Sequence, residues 1–125
     1  MPLHKTAQVT RAITVRIVDV KPIQGKPLLP GEVKGPAIAV TVTVRNTTAH
    51  AVPLEPVVNA YSGPRRTPAL TLSGAPAKRL PNRVGPGSSV TGIYPFTMSA
   101  AQRKDLTVDV SVAARLPVVR FHGSV

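Results

Sequence analysis

Apolar side chains recur at every second position in the clearest segments of this chain, and small or polar residues fill the positions between them. Residues 38–45 read IAVTVTVR, residues 106–112 read LTVDVSV, and residues 13–17 read ITVRI. Successive side chains of a β-strand point to opposite faces of the sheet, so this alternation is typical of strands with one buried face. The pattern therefore predicts a strand in each of the three segments.

The remaining strand signals are shorter or irregular. After Ile17 the apolar positions change parity, which indicates a β-bulge or bend near Asp19. Residues 90–98 alternate again, with Gly92 as a candidate bulge. Further apolar runs predict shorter strands at 57–61, 69–72 and 118–122.

Proline and glycine cluster between these runs, at 27–31, 62–64, 73–74 and 85–87. Glycine supplies positive φ and proline fixes φ, so the clusters predict turns between strands. The one helical signal is Ser99 followed three residues later by Gln102, a capping-box pattern that predicts one short helical turn near 99–104. We therefore predict an all-β fold, an antiparallel immunoglobulin-like β-sandwich of about seven or eight strands.

The length of 125 residues fits one domain. We predict a disordered N-terminal segment at 1–7 and a single sandwich domain over 8–124. The alternation also predicts which side chains form the core: Ile13, Val15, Ile17, Ile38, Val40, Val42, Val44, Tyr94, Phe96, Leu106, Val108, Val110 and Val112.

Composition leaves little material for catalysis. The chain has no cysteine, which excludes a disulfide scaffold, a zinc finger, an iron–sulfur site and a thiol nucleophile, and it has 5 Asp and Glu residues. Asp105 and Asp109 lie four strand residues apart, about 13 Å, which is too far for a glycosidase carboxylate pair. We expect Asp109 to lie on a solvent-exposed face of its strand. His4, His50 and His122 have no second ligand at metal-binding spacing, so we expect solvated histidines. We predict no catalytic residue, no metal site and no cofactor.

Asn46, Thr47 and Thr48 fit the formal pattern of an N-glycosylation acceptor. The interpretation we favour is a strand end at which asparagine tolerates left-handed backbone geometry.

The charge distribution is the one feature of the sequence that points to a function. The net charge is +11, and the interval between Glu55 and Asp105 contains no acidic residue. We predict that five basic side chains from this interval converge on one polyanion-binding surface: Arg65, Arg66, Lys78, Arg79 and Arg83. A basic patch attracts polyanions in a salt-dependent way. The other interpretation is a solvated basic surface that serves only solubility.

The expected partner is an anionic cell-surface polymer, an anionic lipid surface or an acidic protein. The sequence argues against nucleic acid, because aromatic residues make up 3% of the chain and single-strand binders use aromatic stacking platforms. Tyr61 is the only aromatic side chain that we expect to be exposed. No run approaches the roughly 18 apolar residues of a membrane-spanning helix, so we expect no transmembrane segment in this chain.

Three stretches resemble a known group of domains. They read VTVTVRNTT at 40–48, PGSS leading into GIYPF between 86 and 96, and LTVDVSV at 106–112 followed by VVRFHG at 118–123. In order and spacing they resemble the telokin-like immunoglobulin-fold domains of secreted or membrane-anchored Gram-positive, actinobacterial-type proteins. The chain lacks the Cys–Trp–Cys core of antibody-type domains. The resemblance implies an immunoglobulin-like fold and an extracytoplasmic location, and it implies no catalytic residue.

Together these observations predict a non-catalytic extracytoplasmic binding or structural module with a basic surface suited to anionic partners. The alternative is a protein-assembly module that contacts its partner through an edge strand or an apolar groove. An enzyme is the third class, and the sparse carboxylates and histidines argue against it.

Overall fold

The alternating segments form antiparallel strands in the computed structural model of the chain, which describes residues 2–32 and 34–125. Within those residues there are ten strands rather than seven or eight, because four of them are two-residue pairings too short to leave a pattern in the sequence. The strands are β1 (Ala7–Gln8), β2 (Ile13–Gly25), β3 (Gly35–Asn46), β4 (Val52–Pro53), β5 (Val57–Ser62), β6 (Thr67–Pro68), β7 (Arg83–Val84), β8 (Ser89–Thr97), β9 (Leu106–Ser111) and β10 (Val119–Gly123).

The first sheet has the strand order β1-β2-β3-β8. Its centre is the long hairpin of β2 and β3, paired from Ile13 opposite Asn46 to Gly25 opposite Gly35. The register shifts between Ile17 and Asp19, which confirms the bulge predicted from the change of parity. The two sequence faces of β2 therefore exchange at the bulge, so the first half of the strand buries its odd-numbered residues and Val20 is only partly buried.

The second sheet has the order β10-β9-β5-β6 and lies across the core from the first. Its central strand β9 pairs with β10 on one side and with β5 on the other. A separate two-stranded sheet of β4 and β7 lies beside them. The result is the antiparallel β-sandwich that the alternation and the turn clusters predicted.

The predicted core is confirmed at every position except Tyr94, which is half-buried. Val40, Val42 and Val44 from the first sheet and Val108 and Val110 from the second are 0% exposed. Full burial of one such side chain contributes about 1.5–3 kcal/mol. Tyr94 stays at the margin of the core because its hydroxyl accepts a hydrogen bond of 2.9 Å from the Leu80 N–H outside the sheet.

Gly92 does not form a bulge, which corrects that prediction. The pairing of β3 with β8 runs without a shift from Ala37 opposite Thr97 to Arg45 opposite Ser89. The glycine is needed because another segment passes close to the strand. A Cβ at position 92 would lie 2.8 Å from the Leu80 nitrogen, closer than real Cβ contacts allow.

Two further segments differ from expectation. The strand predicted at 69–72 is absent, because Leu70 and Leu72 bond individually to β8 and only Thr71 forms a bridge, opposite Phe96. Residues 2–7 of the segment expected to be disordered lie against the sandwich, since Leu3 is 3% exposed and Ala7 begins β1. Met1 lies outside the described residues.

The helical turn expected near 99–104 is a 3-10 turn at Gln102–Asp105. The Ser99 Oγ accepts from the Gln102 N–H at 3.2 Å, and the Gln102 side-chain oxygen accepts from the Ser99 N–H at 2.8 Å. These reciprocal bonds are those of a capping box. Across the described residues, no helix has the length and apolar character needed to cross a membrane.

Candidate functional site

A single stretch of chain, residues 69–82, crosses the open side of the sandwich between β5 and β8, and we call it the crossing segment. It begins beside β5, where the Ala69 N–H donates to the Ala60 carbonyl. It then lies along β8, with bonds from Leu72 to Pro95 and a pair of bonds between Lys78 and Ile93. It returns towards β5 at Asn82, whose carbonyl accepts from the Leu54 N–H at 2.8 Å.

Between the crossing segment and β5 lies a groove of about 760 Å³, which is within the usual size of a ligand site. Its walls are largely apolar, and none of the described residues that line it is acidic. The lining residues are Leu29, Pro56, Val57, Val58, Thr71, Leu72, Ser73, Ala77, Lys78, Arg79, Leu80, Asn82, Ile93, Tyr94, Pro95 and Phe96. We call this cavity the β5 groove.

Lys78 and Arg79 are the two basic residues of the β5 groove, and both are exposed. Their position is fixed by the main chain, because Lys78 pairs with Ile93 through bonds of 2.7 and 2.9 Å and Leu80 is buried against Gly92. A hydrogen-bonded backbone thus presents two adjacent cations beside an apolar cavity.

A carboxylate fixes the other end of the groove. The Glu32 side chain accepts hydrogen bonds from the Ser73 hydroxyl at 2.6 Å and from the Leu28 N–H at 2.9 Å. These bonds, the one from Ser73 first, lower the pKa of Glu32 to about 2. They hold the loop that carries Leu29 against the crossing segment, and Leu29 lines the groove while 54% exposed.

The five basic residues predicted to converge do not share one surface. Lys78 and Arg79 lie in the β5 groove, and Arg83 is on β7, paired opposite Pro53. Arg65 and Arg66 are in the turn between β5 and β6, at the other end of β5. Arg66 has φ of 49°, a left-handed conformation that is uncommon outside glycine.

A smaller hollow of about 290 Å³ lies beside that turn, lined by Gly63, Pro64, Arg66, Asp105, Thr107, Arg120 and His122. Three of its ionisable side chains already have partners: Asp105, Arg120 and His122. His122 Nε2 lies 2.6 Å from Asp105 Oδ1, so this histidine is not simply solvated as expected. Arg120 makes two bonds of 2.8 Å to Asp109.

Asp109 does not face solvent, which corrects another prediction. It lies on the central strand β9 between Arg120 of β10 and Asn59 of β5, and it is 9% exposed. The bidentate bond raises the pKa of Arg120 and satisfies the buried carboxylate. Asp105 and Asp109 thus have separate partners, and neither is free for acid–base chemistry with the other.

Asn46 is fully buried at the end of β3, and it holds the loop after β3 against β7. Its Nδ2 donates to the carbonyls of His50, Val84 and Gly85, and its Oδ1 accepts from the Thr48 N–H and hydroxyl. The predicted reason, tolerance of left-handed geometry, is wrong, because among the described residues only Arg66 is a non-glycine with positive φ. A side chain so enclosed is not open to glycosylation in the folded protein.

No cluster of three or more histidine or carboxylate side chains with metal-binding geometry occurs within 2–32 and 34–125. The β5 groove is therefore the feature of the described chain that is best suited to binding. Sequence reasoning found Lys78 and Arg79 but not the groove, since its walls come from four separate stretches of the chain. The only local signal was Gly92, whose missing side chain admits the crossing segment.

The comparisons with known proteins support the fold alone. No family model and no curated protein matches the sequence. The chain is similar in structure to the yjhA protein from Bacillus subtilis, with a TM-score of 0.69 and 13% sequence identity. The match covers 86% of this chain and 79% of that protein. The class defined by the fold is an antiparallel β-sandwich.

Proposed function

We propose that this chain is a non-catalytic binding module and that it takes an anionic partner in the β5 groove. The observation that supports the proposal is the pairing of an apolar cavity with two adjacent cations, Lys78 and Arg79, while no acidic side chain is found among the described residues that line it. Apolar walls supply affinity when they leave water, and a few charged groups orient the ligand.

Among the expected partners, the groove favours an acidic protein over a polymer or a lipid surface. A polymer or a membrane is held by a broad field of charge, whereas the five basic residues are divided among separate places on the sandwich. A concave apolar site instead suits side chains that insert into it. The resemblance to telokin-like domains supports a site of action outside the cytoplasm, and fractionation of cells that express the parent protein would test that location.

A matched pair of double variants tests the groove. Lys78→Glu with Arg79→Glu reverses the charge of the groove, and Arg65→Glu with Arg66→Glu makes the same change of net charge at the other end of β5. Binding is measured by fluorescence polarisation against an acidic peptide, anionic phospholipid vesicles and a teichoic-type polymer. Each is measured at 0.1 M and 1 M salt, where the Debye length is ~10 Å and ~3 Å.

The groove variant should weaken peptide binding by about tenfold or more at low salt, since like charges facing each other at a site are strongly unfavourable. The control should change it by less than about threefold, the effect of a distant, screened charge. Equal losses from both variants would mean that net charge explains the attraction, and the proposal would then be abandoned.

A further inference from the structure

We infer that the partner in the β5 groove is an extended peptide segment that adds to the outer edge of β5 as a new strand, with acidic side chains at Lys78 and Arg79. This inference rests on the proposed function and specifies how that site recognises its ligand. Main-chain hydrogen bonds would supply affinity, and the groove would select the side chains.

The direction of the main-chain groups of β5 follows from its hydrogen bonds. The Gly63 N–H donates to Asp105 next to β9, so the odd-numbered residues of β5 point their N–H and C=O groups towards β9. The even-numbered residues point the other way, as the bond from Ala69 to the Ala60 carbonyl shows. Val58 therefore turns its N–H and C=O away from β9 and towards the groove.

This edge is open only beside the groove. The crossing segment bonds to Leu54 before β5 and to Ala60 near its end, and no hydrogen bond joins it to Val58 among the described residues. The open stretch, 55–59, is about 17 Å long at the rise of an extended strand. A partner segment of about five residues fits that length.

Three other long edges belong to the two sheets, at β10, β8 and β2. The outer edge of β10 is bridged by Pro2 opposite His122. The crossing segment bonds to Ile93, Pro95 and Thr97 along β8. The outer edge of β2 is open beyond its short pairing with β1, but it carries a bulge after Ile17, an exposed Lys21 and an exposed Pro22. Bulges, lysine and proline are the features by which edge strands avoid pairing. The groove-facing edge of β5 also carries a proline, Pro56, which has no N–H to donate, but the strand has no bulge, and the N–H and C=O of Val58 lie beside an apolar cavity.

Charge sets the preferred composition of the added strand. Alternate side chains would enter the groove against its apolar walls and should be apolar. The others should include carboxylates placed near Lys78 and Arg79. Two carboxylates disfavour a further acidic group beside them: Glu32, which is already bonded to Ser73 and Leu28, and the exposed Glu55 at the start of the open stretch.

The experiment uses the described chain labelled with ¹⁵N and a capped seven-residue peptide of alternating valine and glutamate. In the free protein the amide of Val58 should exchange with solvent faster than those of Val57 and Asn59, which bond to β9. Saturation with the peptide should slow exchange at Val58 by about tenfold or more and leave its two neighbours unchanged. A peptide of the same side chains with every amide N-methylated should bind at least about tenfold more weakly, because it lacks the donors.

The outcomes separate this inference from the proposed function. Peptide binding that depends on Lys78 and Arg79 but leaves Val58 exchange unchanged overturns strand addition and keeps the binding groove. Equal binding of the N-methylated peptide would also overturn strand addition and keep the binding groove. The same conclusion would follow if vesicles or polymer bind with a dependence on Lys78 and Arg79 while the peptide does not bind. If none of the probes binds, both the inference and the proposed function fail.

Discussion

The substitution Asn46→Asp exchanges the Nδ2 amide for an oxygen of nearly the same size and leaves the rest of the side chain in place. In the native protein that nitrogen lies 2.7 Å from the His50 carbonyl, 3.3 Å from that of Val84 and 3.1 Å from that of Gly85. In the variant, an oxygen faces three carbonyl oxygens inside a site that is 0% exposed. The interactions of Oδ1 with Thr48 are retained.

The magnitude follows from the groups left without partners. Two N–H donors disappear, and each buried acceptor left unpaired costs about 1–3 kcal/mol. A buried, uncompensated charge adds to this, so we expect a loss of about 3–5 kcal/mol of unfolding free energy at pH 7. Since a small domain has only about 5–15 kcal/mol, the variant should be close to unfolding.

The loss should depend on pH with a definite sign. Burial and the facing carbonyls raise the pKa of the introduced carboxyl above its unfolded value of about 3.9. The folded state then binds more protons than the unfolded state, so the stability of the variant relative to wild type falls as pH rises from about 4 to the raised pKa. Above that pKa the stability loss of the variant relative to wild type is constant. At or below about pH 4 the loss is smallest, because the neutral carboxyl can donate one hydrogen bond.

Urea unfolding of wild type, Asn46→Asp and Asn46→Ala at pH 4, 5.5 and 7 provides the measurement. Asn46→Ala also removes the donors but introduces no titrating group, so its loss relative to wild type should not vary with pH. A loss below about 0.5 kcal/mol for Asn46→Asp at pH 7, the size of an ordinary surface change, would refute the reasoning. So would a loss for Asn46→Asp that is independent of pH.

Three further substitutions test the strand faces and the groove loop. Val110→Asp should unfold the domain, since an unpaired buried carboxylate costs several kcal/mol, whereas Thr43→Asp, on the half-exposed face of its own sheet, should be tolerated. Thermal unfolding followed by circular dichroism compares the two variants, and a greater loss of stability for Thr43→Asp would reverse the assigned faces. Glu32→Gln should remove a pH-dependent contribution to the stability of the folded state. Because the pKa of Glu32 is lowered, this contribution is present above about pH 4.5 and is lost as pH falls through about 2. In NMR spectra of the wild type, the amide signals of Leu28 and Ser73 should follow the titration of Glu32, and in the variant they should not. A titration midpoint near pH 4.5 in wild type would contradict the lowered pKa.

The sequence predicted the fold well because the information about strands is local. Alternation at Val40, Val42 and Val44 needs no knowledge of the rest of the chain, and the parity change after Ile17 located the bulge. The reciprocal bonds of Ser99 and Gln102 were equally visible, since both partners lie within three residues of each other.

The groove could not be predicted because it depends on the path of a segment without regular structure. Lys78 and Arg79 were selected by charge, together with Arg65, Arg66 and Arg83. Charge counting contains no distances, so it could not show that these residues belong to different ends of the sandwich. The burial of Asp109 was missed for a related reason, because its partner Arg120 lies on another strand.

The close approach of the crossing segment to Gly92 has a consequence for how this sandwich can diversify. Position 92 does not line the β5 groove, yet even one methyl group there would meet the main chain at Lys78 and Leu80 and force that wall of the groove to shift. The width of the cavity thus depends on a residue that does not line the cavity and need not contact a ligand. A selection for new binding preferences could sample small side chains at position 92 to remodel the cavity while every lining residue, including both cations, stays as it is.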